Sequence, residues 1–130
     1  MRIPAEGVLA AGCHHGRIPF LPIGSAPMSA SAVAAVETAL DNIHRWNPVV
    51  NAMITVTEPA ARERAAALDA QAARGQWAGL LHGVVINLKD CLDWVGTPTT
   101  AASVILADNF PTRNAFVTDR LLAAGAVLVG

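Results

Sequence analysis

Charge is scarce in this sequence, cysteine is scarcer, and no long uninterrupted apolar run is present. Only 15% of the 130 residues are charged and the formal net charge is -1, with acidic and basic residues mixed along the chain. That leaves no basic stripe to neutralise phosphates and no polybasic patch for anionic lipid, which argues against nucleic acid or a charged membrane surface as a direct partner. The two cysteines, Cys13 and Cys91, lie far apart in dissimilar contexts, so neither a disulfide framework nor a paired metal site is indicated. A cytoplasmic setting is the expectation. Every apolar stretch is broken by charge, proline or turn residues before it reaches the roughly 18–20 residues a spanning helix needs. Val8 to Cys13 has some likeness to a lipoprotein cleavage box, but the apolar region there is short, holds Pro4, Glu6 and Gly7, and follows one charged side chain, Arg2. It reads instead as a loose N-terminal extension.

What is present is enough apolar material, 53% of residues, for a buried core. Residues 1–28 hold four glycines and four prolines and are expected to be irregular and dispensable for folding. From Ser29 the pattern changes. Val33, Val36, Leu40 and Ile43 recur at helical spacing, Ser29 or Ser31 can cap the start, and Asn47-Pro48 is expected to end the helix with His44 and Arg45 in its last turn. Thr57 as N-cap, Pro59 in the first turn, an alanine-rich body with Leu68 and a terminal Gly75 predict a second helix. Leu81 to Leu88 predicts a buried strand, and Gly96 to Ser103 a loop. A third helix, capped by Thr112 or Asn114, is expected to run through Val117, Leu121 and Ala124 to Gly125, followed by a strand from Ala126 to Val129. Strand, helix, strand in that order predicts parallel pairing with a right-handed crossover. The second strand ends the chain with nothing after it to cover it, so exposed apolar surface and a sticky sheet edge are expected.

Few residues suggest chemistry. Lys89 follows directly on an apolar strand, where burial can lower its pKa and leave a neutral amine to act as a base; the alternative is a solvated lysine at a strand end. Asp90 beside it points to the opposite face of an extended chain and need not pair with it. Cys13-His14-His15 lacks the spacing of a zinc site, because adjacent residues do not converge easily on one ion. His82 reads as a turn or packing histidine, and Ser103 has no nucleophile motif around it. Trp46, Trp77 and Trp94 are scattered core or rim residues and form no stacking platform. Gly75 to Gly79 precedes a strand, the wrong context for a dinucleotide loop.

Four blocks of sequence nevertheless resemble one family. Asn47 to Ala52, Gly79 to Asp90, Gly96 to Thr100 and Leu121 to Gly130 are similar, in order and spacing, to blocks of the amidase signature hydrolases. The resemblance covers residues 29–130, read as a partial amidase domain. It implies an α/β fold, the N-terminal part of a mixed sheet flanked by helices, in a truncated form. It also implies a catalytic role for Lys89, the lysine of a triad with two serines, in which the neutral amine deprotonates a bridging serine and this in turn activates the nucleophile. No cofactor and no metal are implied, and the substrate of the full-length form would be a small-molecule amide. Both triad serines and the oxyanion amides normally follow downstream of the point where this sequence stops, and none of Ser25, Ser29, Ser31 and Ser103 matches them, so the isolated chain is expected to be inactive. Three positions depart from the family pattern: Val85 stands for a proline, Ala102 for a glycine in a loop that would need it if φ there is positive, and Asn114 for an aspartate. The rival functions are a non-catalytic remnant or interaction module and a fragment of the A subunit of a tRNA-dependent amidotransferase.

Overall fold

The structure is a computed structural model that describes residues 31–130. The extension over 1–28 and the Cys13-His14-His15 cluster lie outside the described residues.

Helix α1 spans Ala32–Val50. Ser31 is its N-cap, its Oγ accepting the Ala34 N–H at 3.2 Å. A second cap comes from another element: the Asp69 carboxylate accepts the Ser31 hydroxyl (2.6 Å) and the N–H groups of Ala32 (2.7 Å) and Val33 (3.2 Å). A negative charge there satisfies donors that have no partner within the helix and complements its dipole. The helix does not stop at Asn47-Pro48. Pro48 lies inside it, because a proline in the last turn removes one rung while the turn itself survives, and the true stop is Asn51. Asn51 is left-handed (φ 49°) and donates its N–H to Asn47 O at 2.7 Å. His44 and Arg45 consequently lie before the last turn, and His44 Nε2 pairs with Glu58 at 2.6 Å instead.

Helix α2, Glu58–Ala72, starts at Thr57 with Pro59 near its beginning, as the sequence suggests, although the Thr57 hydroxyl makes no capping bond. Its buried stripe is Ala61, Ala65 and Leu68, set against Ala32, Val36 and Leu40 of α1. Alanine at the contact lets the two axes come close. Arg62 bridges the helices on their exposed side, bonding both oxygens of Glu37 and also Glu58. Its guanidinium pulls both carboxyls below their usual range, Glu37 chiefly through the hydrogen bond and Glu58 after the larger effect of His44.

Two strands, β1 (Val85–Ile86) and β2 (Val127–Leu128), pair in parallel with Val85 opposite Val127 and Ile86 opposite Leu128. Helix α3 (Phe116–Ala123) lies in the connection between them, completing the expected β-α-β unit, and a short 3-10 turn covers Val104–Leu106. The first strand is far shorter than Leu81–Leu88. Leu81 to Gly83 is wound into a turn, with Leu81 N–H on Ala124 O and Gly83 N–H on Gly125 O, and Gly83 has φ 78°. Hydrogen bonds to the second strand still run on past the regular part, through Val129 N–H to Ile86 O and Leu88 N–H to Gly130 O.

The second strand is buried, contrary to the expectation of an uncovered edge. Ala126 to Val129 are all 3% exposed or less, with Val127 and Val129 in the same cluster as the α1 and α2 stripes. Arg64 of α2 adds a polar tie, donating to Ala126 O (2.8 Å) and Leu122 O (2.5 Å), the latter at the C-terminal end of α3.

α3 begins at Phe116 with Ala115 in the N-cap position; neither Thr112 nor Asn114 caps it. Asn114 is committed elsewhere, its Oδ1 accepting Val95 N–H and its Nδ2 donating to Asp119, each at 2.8 Å. The fully buried residue of this helix is Thr118, bonded to Asp93 O, whereas Val117 is 40% exposed. Gly125 closes the unit at φ 93°, where a Cβ would sit 2.8 Å from His82 Cα. His82 itself packs edge-on against Trp77 and accepts the Ala78 N–H, which is the packing role expected of it.

Candidate active site

Beyond β1 the chain leaves regular structure, and here an open cavity of about 590 Å³ forms. Its walls come from three stretches. Asn87 to Leu92 follows β1, Ala52 to Thr55 follows α1, and Thr97, Pro98, Ala101 and Ala102 belong to the small-residue loop, with Gly130 at the floor.

The Ala52–Thr55 wall is held by one side chain. Asn47 receives Met53 N–H on its Oδ1 (2.8 Å) and donates its Nδ2 to Met53 O (3.0 Å), so the amide takes the place of a neighbouring strand. Thr57 N–H then bonds Val129 O at 3.0 Å and sets this stretch beside β2.

Lys89 lines the cavity and is exposed. The long apolar strand expected to bury it is short here, since only Val85 and Ile86 form regular strand and both are half-buried. Its main chain is well held. Leu88 N–H bonds Gly130 O (2.8 Å), and Lys89 O accepts from Cys91 (2.8 Å) and Leu92 (2.9 Å).

Asp90 does not pair with Lys89. Its carboxylate accepts the Thr100 N–H (2.7 Å), the Thr100 hydroxyl and the Ala102 N–H (3.2 Å). The Thr100 hydroxyl and amide hold the carboxyl below the ordinary aspartate value of 3.8, more than offsetting burial. The loop it grips contains two left-handed alanines, Ala101 (φ 48°) and Ala102 (φ 57°). Ala102, which the resemblance sets where a glycine is expected, thus holds a positive φ that glycine adopts without steric cost.

The other two departures also have geometric readings. The bonds joining the strand region to β2 use Gly83, Val84, Ile86 and Leu88, so alternation turns the Val85 N–H toward the unpaired edge, where a proline would cost no rung. At position 114 an aspartate could accept the Val95 N–H but would repel Asp119, which the Asn114 amide instead satisfies.

Sequence reasoning picked out Lys89 but missed the Asp90–Thr100 clamp, because nine residues of loop separate its halves. It also passed over a plain signal: Lys89 is the only lysine among the nine basic residues of the chain. Trp46 and Trp77 lie at the surface, Trp94 is half-buried at the cavity, and Cys91 is an exposed free thiol there. Among the described residues no cluster of His, Cys, Asp or Glu side chains converges to hold a metal ion, and no helix is long and apolar enough to cross a membrane.

Comparison with known proteins agrees with the resemblance. The family model for amidases matches residues 34–130. The A subunit of the glutamyl-tRNA(Gln) amidotransferase of Trichormus variabilis is 42% identical over 100 residues, 77% of this chain and 21% of the relative. The protein of the same name from Chloroflexus aurantiacus is 39% identical over 117 residues, 90% of this chain and 24% of the relative. Among solved structures, the peptide amidase of Stenotrophomonas maltophilia superposes with a TM-score of 0.70 at 31% identity, over 78% of this chain and 21% of that one. A chain from a vestigial complex connected with the origins of an s-triazine catabolic enzyme gives 0.73 at 37%, over 78% and 22%. The chain thus spans between a fifth and a quarter of the length of these proteins.

Proposed function

The chain belongs to the amidase family, and on that premise we propose that residues 29–130 are the part of an amide-cleaving domain that carries its lysine base, Lys89. One observation supports this above the rest: the only lysine of the chain stands three residues past β1, inside the block from Gly79 to Asp90, with its main chain fixed and its side chain on an open cavity.

A neutral lysine in this role takes the proton of a serine hydroxyl, and that hydroxyl passes the demand to the nucleophile that attacks the amide carbon. The two hydroxyls and the oxyanion donors would come from the portion of the relatives' length that this chain does not span. The low-dielectric surroundings that the amine needs would come from there also, since the described residues leave Lys89 exposed. By this reading the 130 residues alone hydrolyse no amide.

Between a free-standing amidase and the A subunit of an amidotransferase, the relatives favour the second, because the curated proteins at 39–43% identity bear that name. The amide would then be that of glutamine, handled within a cytoplasmic assembly of several different chains. With a formal net charge of -1 and no basic stripe in its sequence, this part would leave the tRNA to other parts of the assembly.

The test is ammonia release from glutamine and from a panel of simple amides. The 130-residue chain should be silent. A polypeptide that continues it with the downstream region of a relative should turn over, and Lys89→Ala should lower that turnover by about three powers of ten or more. Lys89→Arg should fail too, since arginine stays protonated. Turnover by the 130 residues alone, or full activity in Lys89→Ala, would sink the assignment.

A further inference from the structure

We infer that Asp90 is a positioning residue for Lys89: it grips the Thr100–Ala102 turn and thereby fixes the main chain from which Lys89 enters the cavity. The inference rests on the reading of Lys89 as the base.

The stretch around Lys89 lies past the end of β1 at Ile86 and, among the described residues, belongs to no helix or strand. Its order must come from individual hydrogen bonds, and those concentrate on Asp90. The main-chain oxygen of Asp90 accepts Ala101 N–H at 2.7 Å. Its Oδ1 accepts Thr100 N–H, and its Oδ2 accepts both the Thr100 hydroxyl and Ala102 N–H. Three successive amides of one turn therefore converge on one residue. Such convergence is what two consecutive left-handed alanines require, because each holds a backbone conformation that it would leave if unanchored.

The grip works in both directions. It closes the turn, and it leaves Asp90 no freedom to rotate about its own backbone, so the adjoining Lys89 peptide is fixed from the C-terminal side. Leu88 fixes it from the other side through Gly130. A side chain with a fixed root samples fewer positions, which favours a reaction that needs the amine within reach of one hydroxyl. Asp90 is not a proton carrier in this scheme. Its carboxyl is held below 3.8 and stays ionised at neutral pH.

Hydrogen exchange at single amides in the 130-residue chain tests the claim without any turnover. In Asp90→Asn and in Thr100→Val, exchange at Cys91, Leu92 and Thr100 to Ala102 should accelerate about tenfold or more, while Leu40 and Leu68 stay at wild-type rates. Thr100→Ser keeps the hydroxyl and should restore the wild-type pattern. In the turnover-competent polypeptide described above, Thr100→Val should lower kcat about tenfold with KM unchanged, and Thr100→Ser should not. Unchanged exchange at Cys91 and Leu92, Thr100→Ser behaving like Thr100→Val, or an unaltered kcat in Thr100→Val overturns the inference. If Asp90→Asn does not fold, the two threonine variants decide. If Lys89→Ala retains activity, the reading of Lys89 fails, and the exchange pattern still shows whether the clamp exists.

Discussion

The half of the molecule made by α1, α2 and β2 and the half made by residues 88–114 are held by different forces. In the first, Val36, Leu40, Ala65, Leu68 and Val127 are buried to 2% exposure or less and order follows from excluded water. In the second, the buried side chains are threonines, Thr99 and Thr100, while Val104, Ile105 and Phe110 stand in the open. There the chain is shaped by Asp90, Asn109 and Asn114 bonding to backbone groups. The candidate site sits at the border, with its lysine on the loop side. The packed half can thus set the position of the site while the bonded half sets its shape.

The contrast can be broken most forcefully in the packed half. Leu40→Ala removes a fully buried side chain at the α1–α2 contact and should cost about 2–5 kcal/mol, read from the denaturant midpoint. An equally large loss from an alanine substitution at exposed Val104 would show that the loop half is packed after all.

Next in size is Gly125→Ala. The new Cβ would meet His82 Cα at 2.8 Å in a backbone with φ 93°, and about 2 kcal/mol or more should be lost in thermal unfolding. A neutral result would mean that the turn before β2 does not interlock with the Ala78–Gly83 turn as described.

Acid sharpens the comparison, since each half is tied by one aspartate. At Asp69 burial pushes the carboxyl up, but hydrogen bonds from Ser31, Ala32 and Val33 outweigh it and the net shift is downward. Asp90 is lowered by Thr100 and Ala102. Both have folded values below the unfolded 3.8, so each contribution is complete above that pH and is lost as pH falls through the folded value. Acid unfolding below about pH 4 should therefore be flatter in both Asp69→Asn and Asp90→Asn. A wild-type acid limb in either variant would remove that aspartate from the account.

The smallest effect is a gain. Ala102→Gly relieves a left-handed alanine and should add about 0.5–1 kcal/mol after the extra entropy of the unfolded glycine is counted. A loss there would mean the turn is not under strain.

What was legible in the sequence follows the same division. Helical periodicity exposed α1 and α2 because burial is what those residues encode, and β2 was legible as an apolar run. The end of α1 was misread since Pro48 is a louder signal than Asn51, although the left-handed Asn51 makes the stop. The Leu81–Leu88 run looked like a long strand because apolarity cannot tell a strand from a turn packed under a neighbouring loop; Gly83 carried the only local hint. At the site, Lys89 was visible through resemblance and position, whereas its exposure and the Asp90–Thr100 clamp depend on how a loop closes, which no periodicity records.

Asn47 illustrates how neighbouring residues protect a wall of the cavity over time. Its side-chain amide stands in for a strand and fixes Met53, so conversion to aspartate would replace the Nδ2 donor with an oxygen facing the Met53 carbonyl. Spontaneous deamidation of asparagine runs through attack by the next residue's main-chain nitrogen on the side-chain carbonyl, and needs a hydrogen on that nitrogen to complete the ring. The next residue is Pro48, which has none. The proline that costs α1 a rung therefore blocks the main route of chemical ageing at the asparagine that supports the cavity wall.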